Sequence, residues 1–202
     1  KDGAGALPVS IKTRLGYGEI DIEGWIGGLL QTGIAALALH LRTMKEMSKV
    51  PAHWEHVATI ATMAHERGAL FIANGDVMSA TEAREKAGAT GTDGIMIGRG
   101  IFQNPWLFNQ AIDLASNPNA IAPRERLELL LRHTDYFMEF WGATRNFNAL
   151  KRFYKIYISG WDGAKDVRVE LMEAKSAPEV REIVGPQPPN MGPTKQEPKS
   201  RK

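Results

Sequence analysis

Two short segments constrain the fold of this chain more than any others: Phe71-Ile-Ala-Asn-Gly-Asp-Val77 and Gly94-Ile-Met-Ile-Gly-Arg-Gly-Ile-Phe-Gln-Asn-Pro-Trp106. Each is an apolar run that ends in a glycine-bearing polar turn, and a helical pattern follows each turn. Strand–turn–helix units of this kind gather their turns at the C-terminal ends of parallel strands, where backbone N–H groups can meet a phosphate. Asn74, Gly75 and Asp76 end one strand, and Gly98, Arg99 and Gly100 end the next. Glycine lets a backbone approach a ligand closely, and Arg99 adds a planar cationic fork.

The same alternation extends upstream. Residues 9–12 read as a strand behind Pro8, 24–32 as a helix, 35–40 as a buried strand and 53–67 as an amphipathic helix stopped by Gly68. Residues 70–73 form the third strand. Ser79, with Glu82 three residues on, opens a helix over 79–87 as a capping box. Residues 94–97 form the fourth strand, and 105–115 read as the helix after it. Such alternation implies a parallel sheet. A closed barrel takes eight units and typically about 250 residues. The expected fold is therefore α/β, the second half of a (β/α)8 TIM barrel, spanning residues 1–122. The chain starts inside a unit, which suggests a fragment.

From Pro123 only helical periodicity remains, over 124–140, 146–158, 164–173 and 178–183. Loops around Asn117-Pro-Asn119 and Pro186-Gln-Pro-Pro189 mark boundaries. The expected organisation is a small all-α domain at 123–185 and a disordered, basic, Pro-rich tail at 186–202. That tail holds Lys195, Lys199, Arg201 and Lys202 against Glu197, so it carries +3 of a formal net charge of +2. The remainder is close to neutral, and any nucleic-acid role needs a local patch rather than a uniformly basic surface. One such patch is residues 140–161. It holds Arg145, Lys151, Arg152 and Lys155 with no acidic residue, interleaved with Phe147, Phe153, Tyr154, Tyr157 and Trp161. Cations beside aromatics suit RNA, although a helix with an aromatic core face and a solvated basic face looks the same in sequence.

The 202 residues include no cysteine. Disulfides and thiolate metal sites are excluded, a reducing cytoplasmic setting fits, and no apolar run reaches the roughly 20 residues of a membrane span. His65-Glu66 and His53-Trp-Glu55 lack metal-ligand spacing, so no metal is expected. Lys12 and His40 stand at strand ends. A solvated lysine and a core histidine satisfied by a carbonyl are the ordinary alternatives for them. Asp76 has a structural alternative as a helix cap. Arg42 suits phosphate of a cofactor or of RNA, or a plain surface. Asp93 precedes the fourth strand at its N-terminal end and is read as structural.

At these residues the chain resembles the tRNA-dihydrouridine synthases. The matching stretches are Val9-Ser-Ile-Lys-Thr-Arg-Leu-Gly16, Leu39-His-Leu-Arg-Thr-Met44 through Pro51-Ala-His-Trp54, Ala73-Asn-Gly-Asp-Val77, and Gly91-Thr-Asp-Gly-Ile-Met-Ile-Gly-Arg-Gly100 with Asn104-Pro-Trp106. A weaker likeness continues through Asn148-Ala-Leu-Lys-Arg-Phe153 and Gly160-Trp-Asp-Gly-Ala164. The resemblance implies an FMN-binding barrel, a helical domain that helps hold tRNA, and reduction of uridine to 5,6-dihydrouridine with NADPH. It implies that Lys12 and His40 contact the flavin, and that Asn74, Gly75, Asp76, Gly98 and Arg99 surround its ribityl-phosphate end. Arg42, Arg145, Lys151, Arg152 and Lys155 are then the RNA contacts. Two positions depart from the family: Leu41 where it usually has glycine, and His53 where it usually has aspartate. The family's proton-donating cysteine belongs to the first half of the barrel, so this chain alone is expected to be inactive, and its open half-barrel to self-associate. The alternatives are another FMN barrel enzyme acting on a small molecule, and a non-enzymatic RNA-binding module.

Overall fold

A computed structural model of the chain describes residues 2–109 and 121–185. The chain divides into two compact units, Lys1–Gln103 and Asn104–Lys202.

The first unit is built on a four-stranded, wholly parallel sheet: β1 (Ser10–Arg14), β2 (Ala36–His40), β3 (Leu70–Asn74) and β4 (Gly94–Met96), in that spatial order. Crossovers carry its helices. A π-helical turn at Ile22–Ile26 runs into α1 (Gly27–Gln31), a 3-10 turn at Trp54–His56 runs into α2 (Val57–His65), and α3 (Ala80–Thr90) joins β3 to β4. The period-2 pattern sorts the faces. Leu37 and Leu39 of β2 pair in register with Phe71 and Ala73 of β3, and all four are fully buried. They pack with Leu41, Ile26, Leu30, Ile60 and Ala64 into one core. Leu41 is itself fully buried there, while His40 before it faces the other way, so the apolar residue at this position serves the core.

The other face carries Lys12, Ala38, Ile72 and Gly94 in one register row, and Arg14, His40, Asn74 and Met96 in the next. That second row lies at the C-terminal strand ends.

Local signals place α3. Ser79 Oγ accepts from Glu82 N at 3.1 Å, and Glu82 Oε2 accepts from Met78 N at 3.0 Å. The helix runs three residues beyond the expected end, to left-handed Gly91. The helix expected over 105–115 does not form in its described part. Residues 105–108 are turns, because Asn104 Oδ1 accepts from Trp106 N at 2.9 Å and closes a local ring instead. Residues 110–115, the Asn117-Pro-Asn119 loop and the tail from 186 lie outside the described residues.

The described residues 121–185 of the second unit form α4 (Pro123–Trp141), α5 (Asn148–Lys151), α6 (Tyr154–Tyr157), α7 (Ala164–Glu173) and α8 (Ala177–Val184). Leu127, Leu130, Leu150, Tyr154, Ile158, Leu171 and Val180 make its core. The single helix expected over 146–158 is broken by a turn at Arg152-Phe153.

Candidate functional site

The C-terminal register row opens into a cleft of about 360 Å³ lined by Arg14, His40, Arg42, Asn74, Asp76 and Arg99, with Gly75 and Gly98 in its wall. Each strand delivers its residue for a local reason. β2 ends at His40: Leu41 N completes the ladder by donating to Asn74 O, and Arg42 N then folds back onto His40 O at 2.8 Å. β3 ends at Asn74, whose Nδ2 donates to Met96 O at 2.7 Å and ties the ends of β3 and β4 together. Gly75 follows at φ 153, where an added Cβ would lie 2.7 Å from the Ala52 Cβ. Its carbonyl accepts from Trp54 Nε1 at 3.1 Å. A Cβ built on Gly98 meets nothing within 4 Å, so the space in front of that backbone is open.

Asp76 is held at φ 54, a left-handed conformation unusual for a residue with a side chain. Its carboxylate overdetermines that choice. One oxygen pairs with the Arg42 guanidinium and accepts from Ala52 N at 3.0 Å, and the other accepts from Arg99 Nη2 at 2.9 Å. The helix-cap alternative does not hold, since Ser79 caps α3. Burial raises the Asp76 carboxyl pKa, but the hydrogen bonds from Arg42 and Ala52 N and the charges of Arg42 and Arg99 outweigh it, and the net shift is downward.

The site is electropositive. Burial pushes the His40 imidazole down to about 4, and Arg14, Arg42 and Lys12 push the same way against Asp76 alone. His40 is therefore a neutral ring at pH 7. Its Nδ1 is buried with no hydrogen-bond partner, and so is Arg42 Nη1. The carbonyl-satisfied alternative thus fails for that nitrogen. Lys12 is exposed and reaches over the small Ala38 to place its Nζ 3.4 Å from Asn74 Oδ1.

The structure thus brings Lys12, His40, Arg42, Asn74, Gly75, Asp76, Gly98 and Arg99 to one end of one sheet. Arg42 is 3% exposed and engaged by Val50 O as well as Asp76. Arg145, Lys151, Arg152 and Lys155 belong to the second unit. There Arg145 and Arg152 line an aromatic cleft, Lys151 Nζ donates to Met172 O, and Lys155 is exposed.

Arg14 was not anticipated. It donates to Thr43 O at 3.0 Å and Met47 O at 3.3 Å, fixing the loop beside the cleft. The expected strand stopped at Lys12; alternation continued for two more residues would have placed Arg14 on the face of Lys12.

Two histidines outside the cleft have structural work. Asp93 accepts from Phe71 N at 2.7 Å and pairs with His65 at 2.8 Å. His53 bridges Glu46 at 2.9 Å and Glu55 at 3.1 Å. Among the described residues no group of histidines and carboxylates is placed to hold a metal ion, and no helix is long and apolar enough to cross a membrane.

A family model described as "Dihydrouridine synthase (Dus)" matches residues 2–186. The chain is 43% identical over 185 residues to a Staphylococcus epidermidis protein named "Probable tRNA-dihydrouridine synthase", covering 90% of this chain and 55% of that one. It is 42% identical over 185 residues, with the same coverage, to "Probable tRNA-dihydrouridine synthase 2" of Bacillus subtilis (strain 168). The chain spans about half the length of these curated relatives, 55% in each case.

Proposed function

The chain belongs to the dihydrouridine synthase family, and on that footing we propose that its sheet cleft holds the phosphate-bearing part of FMN in an enzyme that reduces uridine to 5,6-dihydrouridine in tRNA. The observation that carries this reading is a cationic cleft walled by Arg14, His40, Arg42 and Arg99, with open space at Gly98. Like charges gathered around one cleft repel one another. An anionic ligand offsets the repulsion among Lys12, Arg14, Arg42 and Arg99.

In this reading Arg99 and the backbone at Gly98, with the Asn74-Gly75 turn, hold the phosphate. Lys12 and His40 face the ring. The chemistry FMN supplies when bound is hydride transfer to the uracil 5,6 double bond, with NADPH as the source of reducing equivalents. Lys12 contributes a positive charge that favours an anionic ring nearby. His40, neutral at pH 7, offers either a donor or an acceptor from its ring according to its tautomer. Asp76 takes no part in binding anion directly. It positions Arg42 and Arg99, and its own charge is already spent on them. Arg145, Lys151, Arg152 and Lys155 supply phosphate contacts to tRNA.

The test is a chimera in which this chain replaces the matching 185 residues of the Staphylococcus epidermidis relative. It should purify with bound FMN and form dihydrouridine in unmodified tRNA, and His40→Ala should lower its FMN content. A chimera that folds but carries no flavin overturns the assignment.

A further inference from the structure

The second unit carries a cleft of about 400 Å³ that the sheet site does not use. One wall is the C-terminal end of α4, where Tyr136, Phe140 and Trp141 are 59%, 67% and 48% exposed. The opposite wall is Phe153 with Arg152, whose guanidinium carbon stands 4.7 Å from the Phe153 ring centre. Arg145 closes one side, 4.7 Å over the Trp141 ring. Beneath them Phe137 and His133 form the floor, with His133 tied to Tyr157 OH at 2.9 Å.

Three features distinguish this cleft from ordinary surface. Helix α4 already buries an apolar face through Leu127, Leu130 and Phe137, so packing of its own unit does not require the three exposed rings. Among the described residues no carboxylate lines the cleft, and Arg145 and Arg152 are held over rings rather than paired with acids. The nearby acid Asp135 is occupied by Arg181. The volume falls within the range of about 300–1,000 Å³ for small-molecule sites. Flat apolar walls with planar cations at the rim match a nucleobase on its phosphodiester chain. Bases stack on aromatic and guanidinium planes, and the cations meet phosphate. Bases inside a duplex are not accessible in this way, so the occupant is unpaired.

We propose that the Tyr136–Phe140–Trp141–Phe153 cleft is a stacking site for one unpaired base of RNA, separate from the site of uridine reduction. This rests on the tRNA reading above and adds to it an anchor that reads single-strandedness rather than charge.

The experiment measures binding of decauridylate and of an abasic ribose-phosphate decamer to the 202-residue chain by fluorescence anisotropy across a salt series, with light scattering in parallel. Decauridylate should bind more tightly than the abasic strand. Trp141→Ala and Phe140→Ala should each lower decauridylate affinity at least about fivefold, with an unchanged salt slope, while Trp141→Phe retains most of it. Arg152→Gln should instead flatten the salt slope by about 0.7. Both aromatic positions are exposed, so a thermal melt matching the parent establishes that the variants fold. Equal binding of the two strands, or alanine variants indistinguishable from the parent, overturns the stacking site while leaving the tRNA reading intact if Arg152→Gln still acts. Absence of binding by either strand overturns the stacking site, while the tRNA reading stands or falls with the chimera. Alanine variants that change the oligomeric state without touching RNA affinity assign the face to a protein partner and also overturn the proposal.

Discussion

Arg42 is 3% exposed, and the carboxylate of Asp76 is its only ion-pair partner among the described residues. A buried guanidinium stripped of its carboxylate leaves an uncompensated charge, a larger loss than an exposed pair would give. Asp76→Asn should therefore destabilise the first unit by about 2 kcal/mol, read as a lowered denaturant midpoint with an unchanged slope. The Asp76 carboxyl titrates lower in the fold than in the unfolded chain. Its contribution is complete above the unfolded value of about 4 and is lost as pH falls through the folded one. Equal acid sensitivity in parent and variant would count against this role.

His40 gives the same sign of pH dependence through the opposite kind of group. Its folded pKa is about 4 against an ordinary 6.5, so between these values the unfolded chain binds more protons. Stability conferred by this residue should fall as pH drops from about 6.5 to 4. His53 opposes it, since its pairing with Glu46, against some cost of burial, raises its pKa and favours the folded state at low pH. Comparison of the parent with His40→Asn isolates the first effect: the variant should show a flatter decline over that range.

Gly98→Val offers a test of the ligand space that leaves the fold alone. A Cβ there meets nothing within 4 Å, so the side chain enters the open cleft rather than neighbouring atoms. FMN affinity in the chimera should fall at least about tenfold, a loss of roughly 1.4 kcal/mol, with the melting temperature within a degree or two of the parent. Undiminished flavin binding by fluorescence titration would remove Gly98 from the site.

The isolated 202-residue chain should form no dihydrouridine in tRNA, because with no cysteine it offers no thiol to protonate the reduced base. It should also self-associate, since β1 and β4 leave edges that pair with no strand among the described residues. Mass analysis of product nucleosides and light scattering decide the two points separately.

Much of the first unit was readable because parallel strands announce themselves by apolar runs stopped at glycine turns, as at Asn74-Gly75-Asp76 and Gly98-Arg99-Gly100. The α3 cap was equally legible, since Ser79 and Glu82 act within one turn. The break at Arg152-Phe153 was not. Leu150, Tyr154, Tyr157 and Ile158 keep helical spacing across it and all are buried, while no Gly or Pro marks the turn. The organising role of Asp76 was hidden for another reason: its partners Arg42 and Ala52 lie in the loop after β2 and Arg99 follows β4, and only the folded sheet brings them together.

The sheet order β1-β2-β3-β4 has a consequence for how the chain assembles itself. Ser10 pairs with Ala36, Ala36 with Leu70 and Ile72 with Gly94, so successive pairings close loops of 26, 34 and 22 residues. The entropic costs of closing such loops differ by only about 0.4 kcal/mol. Within this sheet each strand's partner is its neighbour in sequence. Each of these strands can pair with the one before it as the chain lengthens, and the cationic end of this sheet is complete only once Gly98 and Arg99 stand beside the earlier strand ends.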